Sequence, residues 1–401
     1  MRDIMLIRLL MLSFLLVVSP PTYSRSDKES PALVLPDILQ PEQTKNINTS
    51  IPFTRTGPTI QVAILLDASG SMGGLINQAR EQILSIINAI ATANKQDHPV
   101  TLQVALFEYG VEHQSKYDGY LRLLSPLTSD LDQFSEALFA IKIGGSKEYA
   151  PQVIQEATNR LQWSPHQDDL RLIIIAGNEE FQQGDIPISH AIPLAVSKGI
   201  IINTLYCGPH LKGRKLQWAT PALLSHGKYL NIDHKEKAPH IETPYDDDII
   251  ELGRKLNDTY IGYGTKGASK KSQQIAQDNN ASNLSKSSST ERSIAKAGKQ
   301  YKTQDWDLIS LAQENLEQGI TYAKKDQQHY QGLNDQQITE KLKKQIAQRV
   351  QLQQQISTLE QKRKTFIKQS KNENTKSKDD LGNAIILTIQ DQAKSKGFSF
   401  P

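Results

Sequence analysis

Ile60-Gln61-Val62-Ala63-Ile64-Leu65-Leu66 runs directly into Asp67-Ala68-Ser69-Gly70-Ser71-Met72, and these two stretches decide how the chain is read. The near-continuous apolar run predicts a strand covered on both faces, the habit of a parallel sheet. The segment after it sets oxygen-bearing side chains at alternate positions. In an extended loop, residues i, i+2 and i+4 point the same way, so Asp67, Ser69 and Ser71 can converge while Gly70 lets the backbone turn. One carboxylate and two hydroxyls make a hard-oxygen donor set, suited to Mg²⁺, Mn²⁺ or Ca²⁺ and poor for soft metals. A divalent ion held by one carboxylate keeps positive charge and open positions, so it attracts a further anionic oxygen from outside.

Outward from this point, apolar runs alternate with helical patterns: a helix over 75–93, a strand over 101–108, helices over 131–141 and 151–161. Strands over 170–176 and 199–206 follow, with a helix over 190–196 between them, then a short strand at 228–232 and a closing helix over 246–256. The pattern predicts a doubly wound α/β domain, with a mostly parallel sheet flanked by helices and its ligand site at the carboxyl ends of the strands. After Gly264 the composition turns to Ser, Lys, Asn, Gln and Ala, so residues 265–300 read as a disordered linker. Residues 301–401 read as an all-helical tail, with Leu342, Ile346, Val350, Ile356, Leu359 and Phe366 as an apolar stripe. The stripe leaves open a coiled coil or a helical hairpin packed on itself.

Residues 58–264, about half the chain, resemble the von Willebrand factor A domain, and Asp67-x-Ser69-x-Ser71 after an apolar strand matches the first element of that family's metal site. The resemblance implies two more elements. Gly144-Gly145-Ser146 fits a Gly-Gly-Thr-type loop with Ser in place of Thr. An Asp is implied at the end of the fourth strand, where this sequence has Gly177. Glu179, or Glu148 after the Ser146 loop, can supply the missing carboxylate. The resemblance thus implies a Mg²⁺-class site on Asp67, Ser69, Ser71, Ser146 and Glu179.

Ala176-Gly177-Asn178-Glu179-x-Phe181, Asn257-x-Thr259-Tyr260 and Lys396-Gly397-Phe398-Ser399-Phe400 are similar to segments of a group of exported bacterial proteins of this class with helical tails. That resemblance implies a cysteine near Ala150, opposite Cys207, so the single cysteine of this chain would be half of a lost disulfide. From its place at the end of an apolar strand, Cys207 reads as a buried structural thiol. The terminal Gly-Phe-Ser-Phe either docks on the tail or a partner, or frays.

The amino terminus reads as a secretory signal over residues 1–24, with Arg2 and Arg8 ahead of an apolar run, and a flexible leader over 25–57. The run falls short of the ~20 residues a membrane span needs. Export implies a periplasmic or secreted location. Charge is divided along the chain: residues 1–264 hold 23 Lys+Arg against 29 Asp+Glu, a net −6, and residues 265–401 hold 23 against 14, a net +9. A basic tail suggests contact with an anionic envelope surface or with the acidic head, although solvated helix faces give similar numbers.

Other chemistries find little support. Gly262-Tyr263-Gly264-Thr265-Lys266-Gly267 has the GxGxxG form but ends a domain instead of joining a first strand to a helix. No Walker loop, HExxH or GxSxG elbow is present. The expected function is therefore a binding protein, not an enzyme, that uses a divalent cation to capture an acidic group of a protein partner, without nucleic acid. Two alternatives stand beside it. One is a metal-free scaffold whose helical tail mediates assembly; the other, a metal-dependent hydrolase, would need Glu148, Glu179 or Glu180 as base.

Overall fold

A computed structural model describes residues 57–96, 98–112, 114, 119–232, 241–373 and 381–400. The expected signal and nearly all of the leader lie outside the described residues. Six strands form one sheet: β1 (Thr59–Asp67), β2 (Thr101–Tyr109), β3 (Leu121–Thr128), β4 (Leu170–Gly177), β5 (Ile201–Cys207) and β6 (Tyr229–Ile232). Their order is β3-β2-β1-β4-β5-β6, parallel throughout except that β3 runs antiparallel to β2 at one edge. The chain winds outward from β1 to one side, then returns beside it and winds to the other. The reversal lies between β1 and β4, and in doubly wound sheets the crevice at such a point is where ligands sit. Asp67 and Gly177 end those two strands.

All nine residues of β1 and all eight of β4 are buried, which accounts for their mostly apolar character. Alternate side chains feed two cores. Val62, Ile64 and Leu66 face α1 (Ile76–Ile90) and α2 (Leu131–Ala140). Ala63 and Leu65 face α3 (Ala150–Arg160) and α4 (Ile188–Ser197). Each fully buried Ile or Leu contributes roughly 1.5–3 kcal/mol, so β1 is a large share of the domain's stability. The sequence pattern missed the edge strand β3 and two short helices, α5 (His210–Lys215) and α6 (Ala219–Leu224).

The expected linker is corrected. Residues 267–297 form two helices, α8 (Gly267–Leu284) and α9 (Lys286–Ala297), which follow α7 (Asp246–Asn257). Their polar composition reflects a buried hydrogen-bonded network. Arg292 pairs with Asp132 of α2 at 2.5 Å and with Asp278 at 2.8 Å, and Lys296 pairs with Asp278. Asn257 Nδ2 also donates to Asp278, at 2.6 Å. Buried charges that are paired and hydrogen-bonded hold a helix in place without an apolar stripe. Gly262 and Gly267 serve close packing, since a Cβ on Gly262 would lie 2.6 Å from Gly267 O.

The tail does not stand apart either, because all the described residues fall in one compact unit. Helices α10 (Leu308–Glu314), α11 (Leu316–Ala323) and α12 (Gln327–Tyr330) precede the 39-residue α13 (Asp335–Glu373). α13 lies against α7, α9, α10 and α11, not against a second long helix. Arg349 of α13 is buried on the Asn257-x-Thr259-Tyr260 segment: its Nε donates to Thr259 Oγ1 at 2.9 Å, its guanidinium lies 4.1 Å over the Tyr260 ring, and it pairs with Asp307. α14 (Leu381–Lys394) then returns to α1 and β6, placing Ile385, Ile389 and Phe398 in the core of the sheet domain. The carboxyl terminus docks there, with Ser399 bridging Asn94 and Lys95 lying 4.5 Å over the Phe398 ring. Among the described residues no helix is long and apolar enough to cross a membrane.

Candidate metal centre

The sheet register sets Asp67 beside Tyr109 of β2, and Leu66, its neighbour in the chain, beside Ala176 of β4. Beyond Asp67 the chain makes a 3-10 turn over Gly70–Met72. The Ser69 amide donates to Asp67 Oδ1 at 2.8 Å, folding the loop back over the carboxylate. Ser69 Oγ and Ser71 Oγ are 2.9 Å apart, so the two hydroxyls do converge. Two backbone bonds tie the Gly144-Gly145-Ser146 loop to this one: Gly144 N to Ala68 O at 2.8 Å and Gly70 N to Gly145 O at 2.9 Å. Gly145 has φ +113, and a Cβ there would lie 2.2 Å from Gly110 O, so the close approach of this loop to the segment after β2 requires glycine.

Asp67 and Ser69 are fully buried. Asp67 Oδ2 has no hydrogen-bond partner among the described residues, although the Asn178 amide lies near enough to lower the carboxyl's pKa. Burial pushes the carboxyl up to about 7, opposed by the amide and hydroxyl of Ser69 and reinforced by the charge of Glu148. A buried carboxylate oxygen with no partner is costly, and a cation is one way to satisfy it.

The remaining expected ligands are arranged differently. Ser146 Oγ donates to Glu112 Oε1 at 2.6 Å, so its hydroxyl is engaged away from the Ser69–Ser71 pair. Glu179 does not join the group. The Trp218 indole donates to Glu179 O at 2.7 Å, and the Glu179 carboxylate raises the Tyr206 hydroxyl instead of bearing on Asp67. The acid whose charge reaches Asp67 is Glu148, buried and receiving a 3.1 Å bond from Gln183 Nε2. Gly177 is glycine for a steric reason. A Cβ at that position would lie 2.5 Å from Tyr109 Oη, 2.9 Å from Trp218 Cη2 and 3.1 Å from Asp67 Oδ2. Tyr109 Oη donates to Ala176 O at 3.0 Å, and Ser71 Oγ donates to Asn178 Oδ1 at 2.9 Å.

Sequence reasoning missed Tyr109, Asn178, Glu112 and Trp218. Tyr109 directly follows the strand expected over 101–108, and Asn178 lies in the segment read around Gly177. Cys207 is buried, and its thiol is pushed up to about 12. It packs in the core on one face of the sheet while Ala150 packs in the core on the other, which corrects the expectation that these positions face each other.

Among the described residues no three His, Cys, Asp or Glu side chains gather as a metal cluster. The donors that fit a cation are therefore Asp67, Ser69 and Ser71. They would hold a hard divalent ion with one carboxylate and two hydroxyls, while the Ser146 hydroxyl is bonded to Glu112.

No family model matches the chain, and no curated protein is similar to it. Solved structures similar to it include proximal thread matrix protein 1 from the mussel byssus: 15% identity, TM-score 0.33, covering 45% of this chain and 43% of that one. An aerotolerance-related membrane protein from Bacteroides fragilis with multiple mutations to serines is 19% identical, with TM-score 0.31 over 45% of this chain and 94% of that one. The SpRpn10 VWA domain is 18% identical, with TM-score 0.31 over 45% and 89%. The chain spans less than half of the mussel protein's length.

Proposed function

We propose that this chain is a binding module of the von Willebrand factor A class, exported to the cell envelope, that holds a divalent cation on Asp67, Ser69 and Ser71 and uses it to grip an acidic side chain of a protein partner. The observation that carries this reading is Asp67 Oδ2, fully buried at the reversal point of the sheet and, among the described residues, without a hydrogen-bond partner that meets ordinary geometry. A bound Mg²⁺-class ion would supply an under-neutralised positive charge for the partner's carboxylate. The protein's part is to orient the oxygens: the Ser69 amide fixes the carboxylate, and the Gly145 backbone fixes the loop. The reading is of binding instead of catalysis, because the carboxylate bearing on Asp67, that of Glu148, is buried and bonded to Gln183.

Calorimetric titration of Mg²⁺, Mn²⁺ and Ca²⁺ into the protein and into Asp67→Asn tests the cation, with binding lost in the variant. Equal binding by both proteins would end the proposal. A metal-free scaffold is the second reading, favoured by the Tyr109 hydroxyl and Trp218 ring in the space beside Gly177. It predicts no heat of binding from any of the three ions, and the same envelope partners retained with and without EDTA.

A further inference from the structure

Residues 208–232 carry α5, α6 and β6 and contain no aspartate or glutamate, while Lys212, Arg214, Lys215 and Lys228 are all exposed. The same stretch holds Leu211, Leu223 and Leu224, exposed by 70%, 79% and 50%. Leu223 and Leu211 are the two most exposed large apolar side chains among the described residues.

The leucines are held outward by what lies beneath them. Gly213 sits against the Tyr206 ring and the Tyr229 hydroxyl, so tightly that a Cβ would lie 2.2 Å from that hydroxyl. Thr204 Oγ1 donates to Trp218 O at 2.6 Å, and the Ile202 amide donates to Ser225 Oγ at 3.0 Å. With Trp218, Ala222 and Ser225 buried against the sheet, α6 can only turn Leu223 and Leu224 to the outside.

We propose that the outer face of the α5–α6 hairpin docks on an anionic lipid surface. The charge of the face is complementary to such a surface: Lys212, Arg214 and Lys215 share α5 with Leu211, and Lys228 follows α6 with its two leucines. Projecting leucines flanked by lysine and arginine suit a fluid interface, which accepts apolar side chains without a matching pocket and attracts cations by its surface potential. A folded acidic partner instead needs anchors that fill closed pockets. The proposal stands apart from the cation site.

The test is co-sedimentation of the full chain with vesicles of phosphatidylcholine alone or mixed with phosphatidylglycerol, at low and high salt. Binding to the mixed vesicles is expected to be at least about tenfold tighter than to the neutral ones and to weaken with salt. Leu211→Ser/Leu223→Ser/Leu224→Ser and Lys212→Gln/Arg214→Gln/Lys215→Gln should each lose about tenfold or more, with thermal melting unchanged because the sites are exposed. Asp67→Asn should bind vesicles as the parent does. Equal weak retention on both vesicles, or full binding by the two triple variants, would overturn the proposal. So would a leucine variant that abolishes self-association in sedimentation equilibrium while leaving vesicle binding intact.

Discussion

The Tyr109 hydroxyl stands 2.5 Å from the point that a β-carbon on Gly177 would occupy. The second strand and the fourth thus compete for one small space beside Asp67, and the tyrosine holds it. Gly177→Asp should destabilise the protein by about 1–3 kcal/mol through overpacking. Tyr109→Ala/Gly177→Asp should recover part of that loss and bind Mg²⁺ more tightly than the parent, because a second carboxylate is added. Urea denaturation and calorimetry on the three proteins check both expectations.

Glu148 and Glu179 can be separated by the same means. Glu148→Gln should weaken divalent-ion binding severalfold, since its charge is the carboxylate charge felt at Asp67. Glu179→Gln should leave binding unchanged. The reverse order of effects would place the supporting acid at the end of β4.

Arg349 is the anchor of the long helix. Arg349→Met leaves Asp307 buried without its charge partner and should cost about 3–5 kcal/mol. The loss should appear in a single unfolding transition seen by both far-ultraviolet dichroism and tryptophan fluorescence, because helices and sheet form one unit. Two separated transitions would contradict that.

Burial lowers the Lys296 ammonium to about 8, opposed by the charge of Asp278. Below pH 8 the lysine is protonated in both folded and unfolded chains, and its desolvation opposes folding in full. Between about 8 and its ordinary value of 10.5 the unfolded chain binds more protons, so this group's contribution to stability rises with pH. Relative to Lys296→Met, the parent should therefore gain on the order of 3 kcal/mol across that window. Denaturant midpoints at pH 7.5 and about pH 10.5 for both proteins measure it.

Ala150 and Cys207 lie in cores on opposite faces of the sheet. Ala150→Cys should consequently leave two free thiols under oxidising conditions, counted by mass spectrometry after alkylation. A shift to one disulfide would require the sheet to be placed differently.

The head was legible because its two central strands are apolar almost throughout, a pattern that a doubly covered sheet explains. Asp67, Ser69 and Ser71 could be grouped because their convergence depends on positions within one loop. Ser146 and Glu179 were harder. The Ser146 hydroxyl is taken up by Glu112, 34 residues away, and the Glu179 backbone is held by Trp218, 39 residues away. The linker reading failed because α8 and α9 are held by Asp278, Arg292 and Lys296 meeting Asp132 and Asn257, and composition does not reveal a partner that distant. The edge strand β3, in which only Leu121 and Ser125 are buried, carries no comparable apolar signal.

The pairing of Ser399 with Asn94 brings together residues 305 positions apart. The first core of the sheet domain cannot close without residues 385–398, because Ile385, Ile389 and Phe398 belong to it. Loss of α14 would leave α1 with a bare apolar flank.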